Sequence, residues 1–232
     1  MAVTNIRLRK MSEAQQQTIP AQPKPLRIVA EVISFLCHPV FMPLVMAFVV
    51  YLIYPAAFTG VSDKTRNMWF LTIGYNTIFI PLFGILIMKP LGFIGSYKMQ
   101  TARERTIPLL LTMTFYFWVS HVFNSISGLE HVPLPWKVLL LGNFWGIILV
   151  FLVNIFTKIS MHTAAAGSMV GIIIVLMLCS PVNMLVPLFV SFVVAGIIGT
   201  ARMVLGAHQR GDIWLGYIIG ILVQLGAYIY MK

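Results

Sequence analysis

Long apolar runs separated by short polar stretches dominate the chain. Seven such runs can be drawn, over residues 27–57, 67–88, 106–127, 136–157, 162–179, 182–204 and 213–231. Each suffices to carry a helix across a hydrocarbon core of about 30 Å, which takes roughly 20 residues. Inside a bilayer a helix satisfies its own backbone hydrogen bonds, so the pattern predicts an all-α, polytopic membrane helix bundle with six or seven spans. The first run is too long for one straight span and contains His38-Pro39 and Pro43. It predicts an interfacial helix that kinks into a crossing near Pro39. No internal repeat is visible, and the loops are too short for a second folded domain. The organisation expected is a disordered basic tail over residues 1–26 and a single membrane-embedded domain over 27–232. The tail carries Arg7, Arg9 and Lys10, followed by Gln and Pro where a signal peptide would need its apolar region.

Composition sharpens this picture. At 59% hydrophobic and 9% charged residues, a water-soluble globule would lack polar surface to cover itself, so the lipid bilayer is the expected solvent. The net charge of +10 would raise nucleic acid as a partner for a soluble protein. Here the basic residues sit at the ends of apolar runs, where their partners are lipid phosphates and headgroups, and no nucleic acid is expected. Cys37 and Cys179 lie in or beside apolar runs and form no disulfide framework. There is no Gly-rich nucleotide loop and no metal-ligand cluster, so no cofactor is expected.

Counting crossings puts the N-terminal tail and the segments 89–105, 158–162 and 202–212 on one membrane face. That face holds most of the 16 Lys and Arg residues, leaving Lys64, Arg66, Lys137 and Lys232 on the other. The positive-inside rule then orients it to the cytoplasm, even with Lys98, Arg105 and Arg202 set aside as phosphate ligands. The location expected is a bacterial inner (plasma) membrane.

Three polar clusters share this face. The first enters the third span with Lys98 and Arg105. The second is Ser160-Met161-His162, between the fourth and fifth. The third runs from Arg202 through His208 to Asp212. These residue types suit phosphoryl transfer, which needs cations for the phosphate oxygens, an in-line nucleophile and an acid for the leaving alkoxide. Lys98, Arg105 and Arg202 can supply the charge, with Arg able to grip two oxygens. His208 and His162 are candidates for nucleophile and acid. In a helix beginning near His208, Asp212 lies one turn on and can accept the ring N–H. Gly216 and Gly220 continue that face and let another helix pack closely.

In order, spacing and placement between spans, Lys98-x6-Arg105, Ser160-x-His162 and Arg202-x5-His208-x3-Asp212 resemble the motifs of the type 2 phosphatidic acid phosphatase superfamily over roughly residues 90–220. The resemblance implies a metal-independent lipid phosphatase. In it His208 would form a phosphohistidine, Asp212 would orient His208, and His162 would protonate the leaving group. Lys98, Arg105, Ser160 and Arg202 would hold the phosphate. The chain departs from the family pattern at Thr106, Ile159, Met161 and Ala201, where the motifs have Pro, Pro, Gly and Ser, while every residue with acid–base or charge chemistry is retained.

Other readings stand beside this one. Arg103, Lys158 and Arg210 are expected as interfacial anchors, although Lys158 and Arg210 can also attract an anion. Ser160 is also suited to capping the fifth span. His38, His121 and His131 match no motif position and are expected to be structural. The substrate class is a membrane lipid phosphomonoester or diphosphate, with phosphatidic acid, phosphatidylglycerophosphate, polyprenyl diphosphate and lipid A phosphate all open, as is the oligomeric state. The rival is a non-catalytic protein that keeps the phosphate cradle to bind or transport lipids.

Overall fold

The computed structural model describes residues 22–97, 102–126 and 131–232, and among them the chain is an all-α bundle. Helix α1 (Lys24–Leu36) is followed by α2 (Met42–Ile53). Six helices are long and apolar enough to cross a membrane: α3 (Asp63–Met88), α4 (Ala102–Ser125), α5 (Leu134–Phe156), α6 (Met161–Cys179), α7 (Leu185–Val204) and α8 (Arg210–Met231). Six full crossings plus a shorter apolar α2 agree with the expected six or seven spans. The tail lies largely outside the described residues, and its expected end moves, because Lys24, Pro25 and Leu26 already belong to α1. Pro25 favours that start, since proline is tolerated in a first turn whose N–H groups lack helical partners.

α1 has the build of an interfacial helix. Ile28, Val29, Val32, Phe35 and Leu36 are exposed, while Ala30 and Ser34 are buried against the bundle, where α1 packs on α7. The kink expected at Pro39 is the break between Leu36 and Met42, with His38 and Pro39 in the turn. α2 then carries the chain toward the opposite face. There Trp136 donates its indole N–H to Ala47 O (3.0 Å) and packs against Phe58 and Phe70, each ring 4.9 Å away. Within α3 a π-helical turn at Tyr75–Phe79 directly precedes the next helical stretch and its Pro81. A proline cannot donate to the preceding turn, and the wider turn absorbs that mismatch.

α6 is the most buried of the six long helices and packs most extensively against α8. Small residues explain the closeness. A Cβ at Gly216 would collide with the Thr163 hydroxyl and the backbone of Ser160 and Ala164. One at Gly220 would strike the backbone of Ala164, Gly167 and Ser168, and one at Gly167 the backbone of Tyr217. The expectation drawn from Gly216 and Gly220 thus holds, and the two helices meet backbone to backbone.

This contact can be tested against an open glycine on α7. Gly220→Val forces a side chain into backbone that cannot retreat and should cost about 3 kcal/mol or more, the upper range for overpacking. Gly196→Ala meets nothing within 4 Å and should be neutral or stabilise by up to about 1 kcal/mol through helix propensity. Equilibrium unfolding of both variants in detergent micelles measures the difference.

Candidate active site

Four chain segments separated in sequence meet at one end of the bundle. The α7–α8 turn is the sharpest of them. Gly206 takes a left-handed φ of 62°, and Ala207 N–H donates to Arg202 O (3.1 Å), closing α7 in the manner of a glycine C-cap. The reversal brings His208 back beside Arg202. α8 starts at Arg210, with Gln209 as its cap, so His208 precedes the helix. The helix thus begins near His208, as expected, with His208 just outside it.

Asp212 consequently has two neighbours. Its Oδ2 accepts the Gln209 backbone N–H (3.1 Å) in a capping box and lies 3.4 Å from His208 Nδ1. That second distance is an ion-pair contact whose alignment falls short of a hydrogen bond, and His208 Nδ1 is buried without a hydrogen-bond partner. The pairing expected from the spacing is present, but the carboxylate is shared with the helix cap.

The N-terminus of α6 lies alongside. Ser160 N–H approaches Asp212 O at 3.4 Å. Ser160 is wholly buried, and its hydroxyl oxygen accepts the Thr163 N–H (3.4 Å), so here it serves as the N-cap of α6. His162 follows, and its Nε2 lies 3.1 Å from the Ser34 carbonyl of α1. Because a carbonyl only accepts, that nitrogen carries the proton. Arg202 Nη1 donates to the Ser34 hydroxyl at 3.2 Å, and Arg202 Nε is buried with no partner. The Ser34 carbonyl and hydroxyl therefore occupy the donors of both His162 and Arg202.

The sequence reading left His38 and Ser34 out of the site. The His38 ring stands 5.3 Å from that of His162, edge to face, and its Nδ1 accepts the Val40 N–H (3.3 Å). An ionisable group inside a membrane run carries a functional prior that the Pro39 kink masked. Ser34 gave no signal, since only the docking of α1 brings it in. The charges of Arg105 and Arg202 act on one another, and Lys158 and Arg202 both act on His208. Arg105, Lys158, His162, Arg202, His208 and Asp212 thus form one cluster, with Lys98 outside the described residues.

Burial, then the positive charges of Arg202 and Lys158, push the His208 pKa down to about 4, with Asp212 pulling the other way. Burial first and Arg202 second also lower His38. Among the described residues no group of His, Cys, Asp and Glu is arranged to hold a metal ion. The chain matches no protein-family model, no curated protein and no solved structure. Its own residues define an integral membrane helix bundle with a cationic, histidine-lined site at one membrane face.

The lowered histidines predict a pH-dependent stability. An unfolded histidine titrates near about 6.5, whereas folded His208 titrates near 4. Between those values the unfolded chain binds a proton that the folded one does not, so stability should rise with pH across this window and level off above it. Chemical unfolding in detergent from pH 4 to 8 should show that rise, and His208→Gln should shrink it, leaving the part that His38 contributes.

Proposed function

We propose that this protein is a lipid phosphatase that hydrolyses a lipid phosphomonoester or diphosphate through a phosphohistidine. The observation that carries the reading is convergence: His162 of α6 and Ser34 of α1 meet Arg202 and the His208–Asp212 pair of the α7–α8 turn at one end of the bundle. His208 is neutral at physiological pH, which leaves a lone pair for attack on phosphorus. With the Nδ1 proton toward Asp212, that lone pair is on Nε2. As the N–P bond forms, the ester P–O bond breaks and the leaving alkoxide takes a proton from His162, whose Nε2–H now faces the Ser34 carbonyl. A phosphate dianion placed here offsets the Arg202 charge and lets the His162 ring hold the second proton that a general acid needs. Water then gives a proton to the now neutral His162 and attacks phosphorus, the N–P bond breaks, and hydrogen phosphate leaves with both histidines restored.

Arg105 and Arg202 hold the phosphate oxygens, with Lys98 assigned the same role from its spacing. The N-terminus of α6, capped by Ser160, adds backbone N–H donors suited to an anion. A site beside interfacial α1 sits at headgroup depth, so a substrate presents its phosphate while its chains stay in the bilayer. The excess of Lys and Arg on this face orients it to the cytoplasm of a bacterial inner membrane. One observation favours the rival reading of binding or transport without turnover: Ser160, in the family motif a phosphate ligand, is buried as a cap.

Substitution of the two histidines separates these readings and assigns the roles. His208→Ala should abolish turnover of every substrate, because it removes the covalent route. His162→Ala should lose about 10²–10⁴-fold on a lipid phosphate, the usual worth of general acid catalysis, yet keep a measurable share on p-nitrophenyl phosphate, whose leaving group hardly needs the proton. Phosphate release by the purified variants gives the answer. Equal losses for both variants on both substrates overturn the assignment, and lipid binding by wild type with no turnover supports the rival.

A further inference from the structure

Beside the histidines opens a cavity of ≈90 Å³. Pro39 and Met161 line it, and they adjoin His38 and His162, so the cavity starts where the cluster ends. Its walls are apolar apart from three side chains, Tyr116 of α4, Asn143 of α5 and Ser168 of α6. Ser168 follows His162 by six residues on one helix, a distance of about 9 Å at 1.5 Å per residue. It marks the membrane-embedded end.

The polar groups there are incompletely paired. Ser168 donates to Asn143 Oδ1 (2.9 Å), and Gln224 Nε2 donates to Ser168 Oγ (2.6 Å) and approaches Asn143 Oδ1 at 3.3 Å. Asn143 Nδ2 and Gln224 Oε1 are left buried without hydrogen-bond partners, and Gln224 is wholly buried. Inside a membrane no bulk water can satisfy an amide, so orphaned groups beside a cavity point to a ligand that completes them. Asn143 lines the cavity, and its unpaired Nδ2, buried beside it, is a donor. Its missing partner is therefore an acceptor oxygen within an otherwise apolar chain.

We propose that this cavity holds one aliphatic chain of a lipid phosphate whose headgroup lies at the histidine cluster, and that Asn143 donates a hydrogen bond to an oxygen on that chain. The oxygen, an ester carbonyl or a chain hydroxyl, lies about 9 Å below the phosphate, the length of α6 between His162 and Ser168. The placement of the headgroup rests on the phosphatase reading, whereas binding of the chain requires no turnover. An ether-linked or isoprenyl chain fills the same space but leaves Asn143 Nδ2 unpaired.

The test measures binding and phosphate release separately, on the full chain in nanodiscs. The probes are a lauroyl monoacylglycerol phosphate, its alkyl ether analogue, a mid-chain hydroxylated alkyl phosphate and farnesyl phosphate. Wild type should bind the ester or the hydroxylated probe about fivefold to tenfold more tightly than the ether, the worth of one hydrogen bond, and the preferred probe identifies the oxygen. Asn143→Leu should bring that preference to about one. This change also removes an acceptor from Ser168 and Gln224, so a second variant tests the pocket alone. A Cβ at Gly146 meets only Val223 at 3.5 Å, and the longer side chain of Gly146→Leu enters the cavity. It should weaken binding of all four probes by about tenfold or more, the effect of filling the space a chain needs. Wild-type affinity in Gly146→Leu overturns the pocket, and equal wild-type affinity for all four probes overturns the role of Asn143. Chain binding sensitive to Gly146→Leu, with no phosphate released from any probe, overturns the phosphatase reading while leaving the pocket intact.

Discussion

The backbone contact between α6 and α8 is the constraint on which the rest depends. Because Gly216 and Gly220 present no side chains, the first turns of the two helices come close enough for Ser160 N–H to approach Asp212 O. The residues just before and at these helix starts, His208 and His162, are thereby brought to the same end of the bundle. In a bilayer such closeness has to come from shape, because lipid tails are as apolar as the helices and supply little drive to associate them. The aromatic cluster around Trp136 anchors the opposite end. The small-residue seam thus fixes positions at the reactive end, and the large rings fill the other.

A second consequence is electrostatic. The seam and the Gly206 turn concentrate Arg105, Lys158 and Arg202 around three histidines, and Asp212 is the carboxylate that offsets the charge at His208. Cations gathered away from water are held at a cost, which lowers when an anion enters. Burial first, and the Arg202 charge second, hold His38 and His208 below the ordinary histidine pKa. On the proposed function, a phosphate entering this cluster brings the charge that water does not. Stability and function pull against one another here, as is common where a site is organised for charge that arrives only with a ligand.

Much of the fold and part of the site are legible in the sequence, for physical reasons that differ by residue. Hydrophobic runs mark spans because the bilayer fixes their length, and Gly216 and Gly220 announce close packing because four residues make about one helical turn. Arg202, His208 and Asp212 are readable because a short turn ties them together locally. Ser34 and His38 are not readable as site members, since their places depend on how α1 docks against α7, more than 150 residues away in sequence. Ser160 fits two roles in the sequence, and its burial shows the capping role in use. Asn143, Ser168 and Gln224 stand on three different helices, so only tertiary packing reveals them as one group. Local spacing carries local geometry, and the meeting of distant helices leaves little trace in a single chain.

The docking of α1 joins these threads. Its apolar face is exposed and Ser34 lies on the buried one, so the depth at which the helix rests in the interface also sets the depth of the Ser34 carbonyl and hydroxyl. Those two oxygens accept from His162 and Arg202, which are the donors that a phosphate ester would use for its leaving and equatorial oxygens. The protein's own backbone and side chain therefore pair one donor of each group, His162 Nε2 and Arg202 Nη1, while Arg202 Nε stays buried and unpaired. A phosphate at this point exchanges neutral acceptors for charged ones, and charge-assisted hydrogen bonds are the stronger of the two kinds. The exchange is favourable only for an anion that arrives at the level where α1 lies, between headgroup and acyl chain. On the phosphatase reading proposed above, that condition favours a phosphate carried by the membrane over one diffusing in water.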